Sequence, residues 1–317
     1  MNIIYTVCNR TNLNHALVLA DSALRHQPND TFYLCWVDTL PLNNLPSHIK
    51  LLDVAQINIP QFKNMEARYY HFELLPACRP WFALEILKKN PECERITFLA
   101  PTVLLTQSME DVANTGADIL LTPNINKPLA PSDILDDKRI LNVGMFHSGS
   151  WVLKSGPLTI QTLQWWGERT IDRAKFDLCN GMNTDQLWLN YIPVWVPDTI
   201  HAQHPGWHYG LHAVLNRNLV SEKDGFTIDN QPLISVDFAG LDHFDPIWSN
   251  HAGLLQKSNA LKALYSDYKR SLKNLPAYAQ TDGVPGYGKP ADIKKNRILR
   301  NKLADKLKAL TVYIDQF

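Results

Sequence analysis

The first 38 residues, MNIIYTVCNRTNLNHALVLADSALRHQPNDTFYLCWVD (1–38), decide the fold. Asn2 to Val7 is rich in β-formers and reads as a first strand. After the polar turn Asn9-Arg10-Thr11-Asn12, apolar residues at Leu13, Leu17, Ala20 and Leu24 recur at helical spacing, with Asn12 placed as a cap. A second apolar strand, Phe32 to Val37, ends at Asp38. Working outward, Pro80 to Leu87 predicts a helix that starts at its proline, and Arg95 to Leu99 predicts another strand. The order β-α-β-α-β is that of a parallel sheet with crossover helices. Ligands of open α/β sheets bind outside the carboxyl ends of the strands. That places a site at Val7-Cys8-Asn9, at Asp38 and at Ala100-Pro101-Thr102.

Composition narrows the class. The 317 residues are 45% hydrophobic, 20% charged and 10% aromatic, enough for a substantial core and incompatible with a disordered or fibrous chain. Lys+Arg and Asp+Glu balance at 31 each, so no field over the whole chain recruits nucleic acid. Five cysteines, at 8, 35, 78, 93 and 179, form no CxxC pair and read as reduced thiols. No run approaches the roughly 20 apolar residues of a membrane span, and the N-terminus lacks the features of a signal peptide. The expectation is a complete chain working in the cytoplasm or at the inner face of a membrane.

The second half changes character. Seven of the nine tryptophans lie at 151, 165, 166, 188, 195, 207 and 248, and six of the eleven histidines fall between His201 and His251. A nucleotide-like site made by the first half, 1–125, facing an aromatic and polar second half, 126–255, fits an enzyme that holds a donor against an acceptor, with 256–317 as a helical extension. In that extension 283–290 is a Gly/Pro loop, Asp292 stands as a cap, and Leu299, Leu303, Leu307, Leu310 and Ile314 make a helical stripe. Eight Lys/Arg against two Asp over 289–308 fit a helix lying on an anionic membrane, docking on a partner, or packing on its own domain with a solvated basic face.

Three further segments carry chemistry. Asn142-Val143-Gly144-Met145-Phe146-His147-Ser148-Gly149 is a glycine-spaced approach into a strand. Thr184-Asp185-Gln186-Leu187-Trp188-Leu189-Asn190 starts a short helix with Thr184 as cap and Asp185 and Gln186 at its N-terminal end. Ser235-Val236-Asp237-Phe238-Ala239-Gly240 ends a strand with an acid and a glycine. No Gly-x-Ser-x-Gly, Walker loop or GxGxxG occurs, which removes nucleophile-elbow hydrolases, ATPases and dehydrogenases.

In that order these segments resemble the GT-A class of nucleotide-sugar glycosyltransferases, over most of residues 1–255. The likeness is to bacterial relatives of the retaining glycogenin and galactosyltransferase-like family. It implies an α/β, Rossmann-like fold with a mixed, mainly parallel sheet flanked by helices. It also implies a nucleoside diphosphate sugar as donor and a glycan or lipid-linked acceptor, as in bacterial lipopolysaccharide, capsule or other polysaccharide biosynthesis. Asp185 and Gln186 match its catalytic element. Thr6, Val7, Cys8, Asn9, Arg10, Arg79, Asn142, Gly149, Asp237 and His251 are the implied donor contacts, and Trp207, His208 and Asn190 the implied acceptor contacts. The family's Asp-X-Asp is replaced by Ala100-Pro101-Thr102, and Asp237 stands where a histidine is usual. Mg²⁺ or Mn²⁺ needs hard oxygen ligands, so no metal residue is assigned and no cofactor is expected. Two readings stay open: a metal-independent transferase that stabilises the leaving diphosphate with Arg79, Arg10 and neighbouring groups, and an inactive glycan-binding or assembly protein on the same fold. His204, His208 and His212 have i, i+4, i+8 spacing, but Pro205 and Gly206 break the helix that a zinc site of that kind needs. They read as a binding or structural loop.

Overall fold

The computed structural model describes residues 1–132, 134–223, 225–276, 283–291, 293 and 297–315. The strands that place the site are β1 (Asn2–Cys8), β2 (Thr31–Trp36), β3 (Ile49–Asp53), β4 (Arg95–Leu99), β5 (Val103–Leu105), β6 (Ile119–Pro123), β7 (Phe146–Lys154), β8 (Thr199–His201) and β9 (Ser235–Asp237). Seven of them form one sheet in the order β8-β6-β7-β4-β1-β2-β3. All neighbours run parallel except β7, which is antiparallel to both β4 and β6. The fold is therefore α/β with a mixed, mainly parallel sheet, as expected. The strands of such a sheet are covered on both faces, which is why β1 is buried from Ile3 to Cys8 and reads as an unbroken apolar run.

Two local expectations are corrected and one strand is added. The helix expected to begin at Pro80 begins nine residues earlier: α2 spans His71–Lys89 and carries Pro76 and Pro80 inside it. Its start is marked by the Glu73 carboxylate, which accepts the Tyr70 amide at 2.9 Å, and the burial of Leu74, Phe82, Ala83 and Ile86 in the core carries the helix through its two prolines. Strand β3 was not legible, because it is an edge strand whose pattern shows only two buried positions, Ile49 and Leu52. Asn12 does not cap α1 (Leu13–His26) with its side chain; its Oδ1 accepts the Asn9 amide at 2.9 Å and tightens the turn after β1 instead.

Helix α2 crosses the sheet and packs on α3 (Pro157–Thr170). The two approach closely because Gly167 presents no side chain to Trp81, where a Cβ would sit 2.8 Å from the indole. Strand β9 pairs antiparallel with β5, so Asp237 sits opposite Val103, directly after the turn that ends β4. Helix α4 (Asn259–Lys273) returns to α1, where Tyr268 Oη lies 2.7 Å from His15 Nδ1. Cys8, Cys35, Cys78 and Cys93 are buried free thiols and Cys179 is an exposed one. The last helix, α5 (Arg297–Ile314), leaves Leu299, Leu303, Leu307, Leu310 and Ile314 exposed, so its apolar stripe is not covered by its own domain. The expected cap Asp292 lies outside the described residues. Among the described residues no helix is long and apolar enough to cross a membrane.

Candidate active site

A cleft opens at the carboxyl ends of β1 and β4, where the sheet topology places ligands. Arg79, from α2, lines it, and behind Arg79 lies its ion-pair partner Asp185, fully buried in the turn before the short helix Gln186–Tyr191. Arg79 Nη1 stands 3.0 and 3.1 Å from the two Asp185 oxygens and 3.1 Å from both the hydroxyl and the carbonyl of Ser148. The guanidinium lies over the Phe98 ring at 4.6 Å, which fixes its plane. Burial pushes the Asp185 carboxyl above its ordinary range while Arg79 pulls it back. Gln186 accepts the Ser148 amide at 3.0 Å and donates to the Val143 carbonyl at 2.7 Å, clamping β7 against this element. Thr184 has φ of 49° and no capping role, which corrects the expectation for it; the left-handed turn it makes swings Asp185 inward.

A second cluster forms one wall. Asp237 Oδ1 accepts the Thr102 hydroxyl at 2.6 Å and the Ala239 amide at 2.9 Å. Its Oδ2 lies 3.5 Å from His208 Nε2, which in turn lies 3.3 Å from His147 Nδ1. His147 also accepts the Gly149 amide at 2.9 Å. Burial drives both imidazoles down to about 3, so they are neutral. His212 stacks on His208 and lies 3.3 Å from the Arg217 guanidinium. The three histidines that meet are thus 147, 208 and 212; His204 is turned to its own loop, accepting the Gly206 amide at 3.1 Å. Asp245, on the cleft lip, accepts the Ile247 and Trp248 amides, and burial pushes its carboxyl up to about 6.

The other expected contacts disperse. Of residues 6–10 only Val7 lines the cleft; Thr6, Cys8 and Asn9 are buried, with Asn9 bonded within its own turn. Arg10 forms a two-bond pair with Asp38 at 2.5 and 2.8 Å, and the same carboxylate holds the Gly286 amide at 3.0 Å. Gly149 lines the cleft. Asn142 and His251 come together at a separate surface depression, and Asn190 lines another while accepting the Met145 amide at 3.0 Å. Trp207 is a core residue whose indole donates to Thr122 at 2.8 Å. His208 lies fully buried beneath the cleft wall. Sequence reasoning missed His147, His243 and Asp245 as cleft residues. Only His147 left a signal, its place one residue before the Ser148-Gly149 pair.

A hard-cation clamp of the Asp-X-Asp kind does not fit these residues. Where it needs two carboxylates, Ala100 offers a methyl group and Thr102 a hydroxyl already donated to Asp237.

Fold and site together define an α/β protein with a polar cleft at the carboxyl edge of a mixed sheet. No protein-family model matches the chain. The uncharacterized protein YfnF of Bacillus subtilis (strain 168) is 27% identical over 172 residues, which are 51% of this chain and 54% of YfnF. The match thus spans about half the length of that curated relative. Among solved structures, the chain is similar to the galactosyltransferase LgtC in complex with donor and acceptor sugar analogs. That likeness has a TM-score of 0.46 at 12% identity and covers 85% of this chain and 99% of that one. It is also similar to an active-site mutant of LgtC, with a TM-score of 0.49 at 13% identity, covering 87% and 98%.

Proposed function

We propose that the chain is a glycosyltransferase that moves a sugar from a nucleoside diphosphate donor to a glycan or lipid-linked acceptor. The observation that carries this reading is Arg79, which lines a cleft at the carboxyl ends of β1 and β4 and is held there by Ser148 and by the buried Asp185. A carboxylate and a guanidinium held together in this way fix the shape of the cleft wall that a sugar ring meets. Asp185 lies behind that wall and acts on the reacting sugar through the Arg79 guanidinium that it holds. Gln186 acts through position, holding Ser148 and the glycine segment in register. The exposed stripe of α5, with its Lys and Arg, offers a docking face for an anionic membrane that presents a lipid-linked acceptor.

A second reading has a specific observation behind it. Arg10 is committed to Asp38 and Arg79 to Asp185, so neither is at liberty to receive a diphosphate. That favours a non-catalytic glycan-binding or assembly protein. Calorimetric titration with a panel of nucleotide sugars, with and without EDTA, separates the two readings. Binding of one donor, with turnover cut at least about a hundredfold by Asp185→Asn, supports transfer; no donor binding in either condition supports the second reading.

A further inference from the structure

We propose that His147, His208 and Asp237 form a binding site for one transition-metal ion of the zinc type, with its open coordination position toward the cleft. Three acceptor atoms converge there: His208 Nε2 is 3.3 Å from His147 Nδ1 and 3.5 Å from Asp237 Oδ2, and one ligand atom from each residue lies within 4.8 Å of the others. A tetrahedral ion with bonds of about 2.0–2.2 Å keeps its ligand atoms about 3.3–3.6 Å apart. Both short separations fall in that interval.

Proton placement leaves the same gap. His147 Nδ1 accepts the Gly149 amide and so carries no proton. A proton on His208 Nε2 serves two distant acceptors poorly and strands His208 Nδ1, which has no partner. A proton on Nδ1 strands that atom equally and turns a third lone pair into the gap. A cation resolves the convergence by taking all three lone pairs, at the cost of the Gly149 bond.

The surroundings are those of a built site. Asp237 is aimed by Thr102 and Ala239, which occupy Oδ1 and leave Oδ2 toward His208. His208 is held at φ of 47°, in the left-handed region that few residues other than glycine adopt. Gly149 leaves room for the His147 ring, where a Cβ would come within 2.7 Å of Nδ1. His147 and Asp237 line the cleft whereas His208 is buried behind them, so a fourth position faces the cleft, the pattern of a catalytic rather than a closed structural site. Two imidazoles and one carboxylate suit zinc or cobalt and not the all-oxygen cations. Resting on the transferase reading, the open position takes a diphosphate oxygen and supplies the positive charge that Arg10 and Arg79 cannot.

Cobalt titration of the untagged, chelator-stripped full chain tests the site without any donor. One equivalent of Co²⁺ producing the visible bands of a tetrahedral site, displaced by Zn²⁺, is the expected result. Asp237→Asn and His208→Gln weaken the affinity at least about tenfold, and Thr102→Val weakens it by roughly the tenfold typical of an outer-shell partner. Circular dichroism of the metal-free variants checks that they fold. No stoichiometric binding, or binding unchanged in folded His208→Gln and Asp237→Asn, overturns the proposal. Absence of sugar transfer by a protein that binds cobalt this way refutes the transferase reading alone.

Discussion

Breaking the Arg79–Asp185 pair is the most informative perturbation. Side-chain exposure is 14% for Arg79 and zero for Asp185, so neither charge is rescued by solvent when its partner is removed. Removing one member of such a pair costs about 3–5 kcal/mol, most of it the penalty of the charge left behind. Arg79 keeps its Ser148 bonds and its Phe98 contact in Asp185→Asn, which sets the expected loss near the lower end, about 3 kcal/mol. Domains of 150–250 residues lose about 2–4 °C in Tm per kcal/mol, and a chain of this size is expected to lose roughly 6–10 °C. The assay is urea unfolding at pH 7 of Asp185→Asn, Arg79→Met and the double variant. Because the residues share a bond, the cycle is expected to show coupling of about 2 kcal/mol, the double variant being less damaged than the sum. Turnover of folded Asp185→Asn is expected to fall about 10²–10³-fold. Single losses below about 1 kcal/mol that add within about 0.5 kcal/mol refute the pair as a structural unit. Wild-type turnover in Asp185→Asn refutes its part in the chemistry.

The remaining expectations concern the cleft wall and pH. Gly149→Ala puts a Cβ within 2.7 Å of His147 and 3.0 Å of His208, and the overpacking is expected to cost about 1–3 kcal/mol in urea unfolding. His15 is pushed down to about 4 by burial. Its neutral form therefore contributes stability that is present above pH 6.5 and lost as pH falls through 4, up to about 3 kcal/mol. His15→Gln, measured by urea midpoints across that window, is expected to flatten the slope. Asp245 acts with the opposite sign: its carboxyl is raised to about 6, so its contribution is present below about pH 4 and lost as pH rises through 6. Partial exposure at the lip discounts the effect to about 1–2 kcal/mol. Asp245→Asn keeps an oxygen for the Ile247 and Trp248 amides and is expected to remove that loss, whereas an unchanged pH profile contradicts the assignment.

The sheet was legible because periodicity over β1, α1, β2 and β4 is a local property of the chain, and buried parallel strands write it plainly. Arg79 and Asp185 each stood out in the sequence within a motif of its own. Their pairing was not, because the residues stand 106 positions apart and meet only through the packing of α2 on the turn before Gln186. The same limit explains Arg10, whose free guanidinium in sequence becomes a bound one only when β2 delivers Asp38 beside the first turn. Trp207 and Asn190 went to the core and to a neighbouring loop because an aromatic or amide says nothing of which way its backbone faces.

The turn at Ala100-Pro101-Thr102 shows why the missing carboxylates and the histidine cluster belong together. Thr102 Oγ1 sits 2.6 Å from Asp237 Oδ1, a distance that suits a hydroxyl donor and a carboxylate acceptor. With an aspartate at 102, two carboxylates would face each other across that gap and would need a shared proton or a hard cation between them. The threonine removes that need and aims the other Asp237 oxygen at His208, away from the turn. An oxygen-ligated ion on the turn and a nitrogen-ligated ion on β7 are therefore alternative uses of one carboxylate. This chain is arranged for the second.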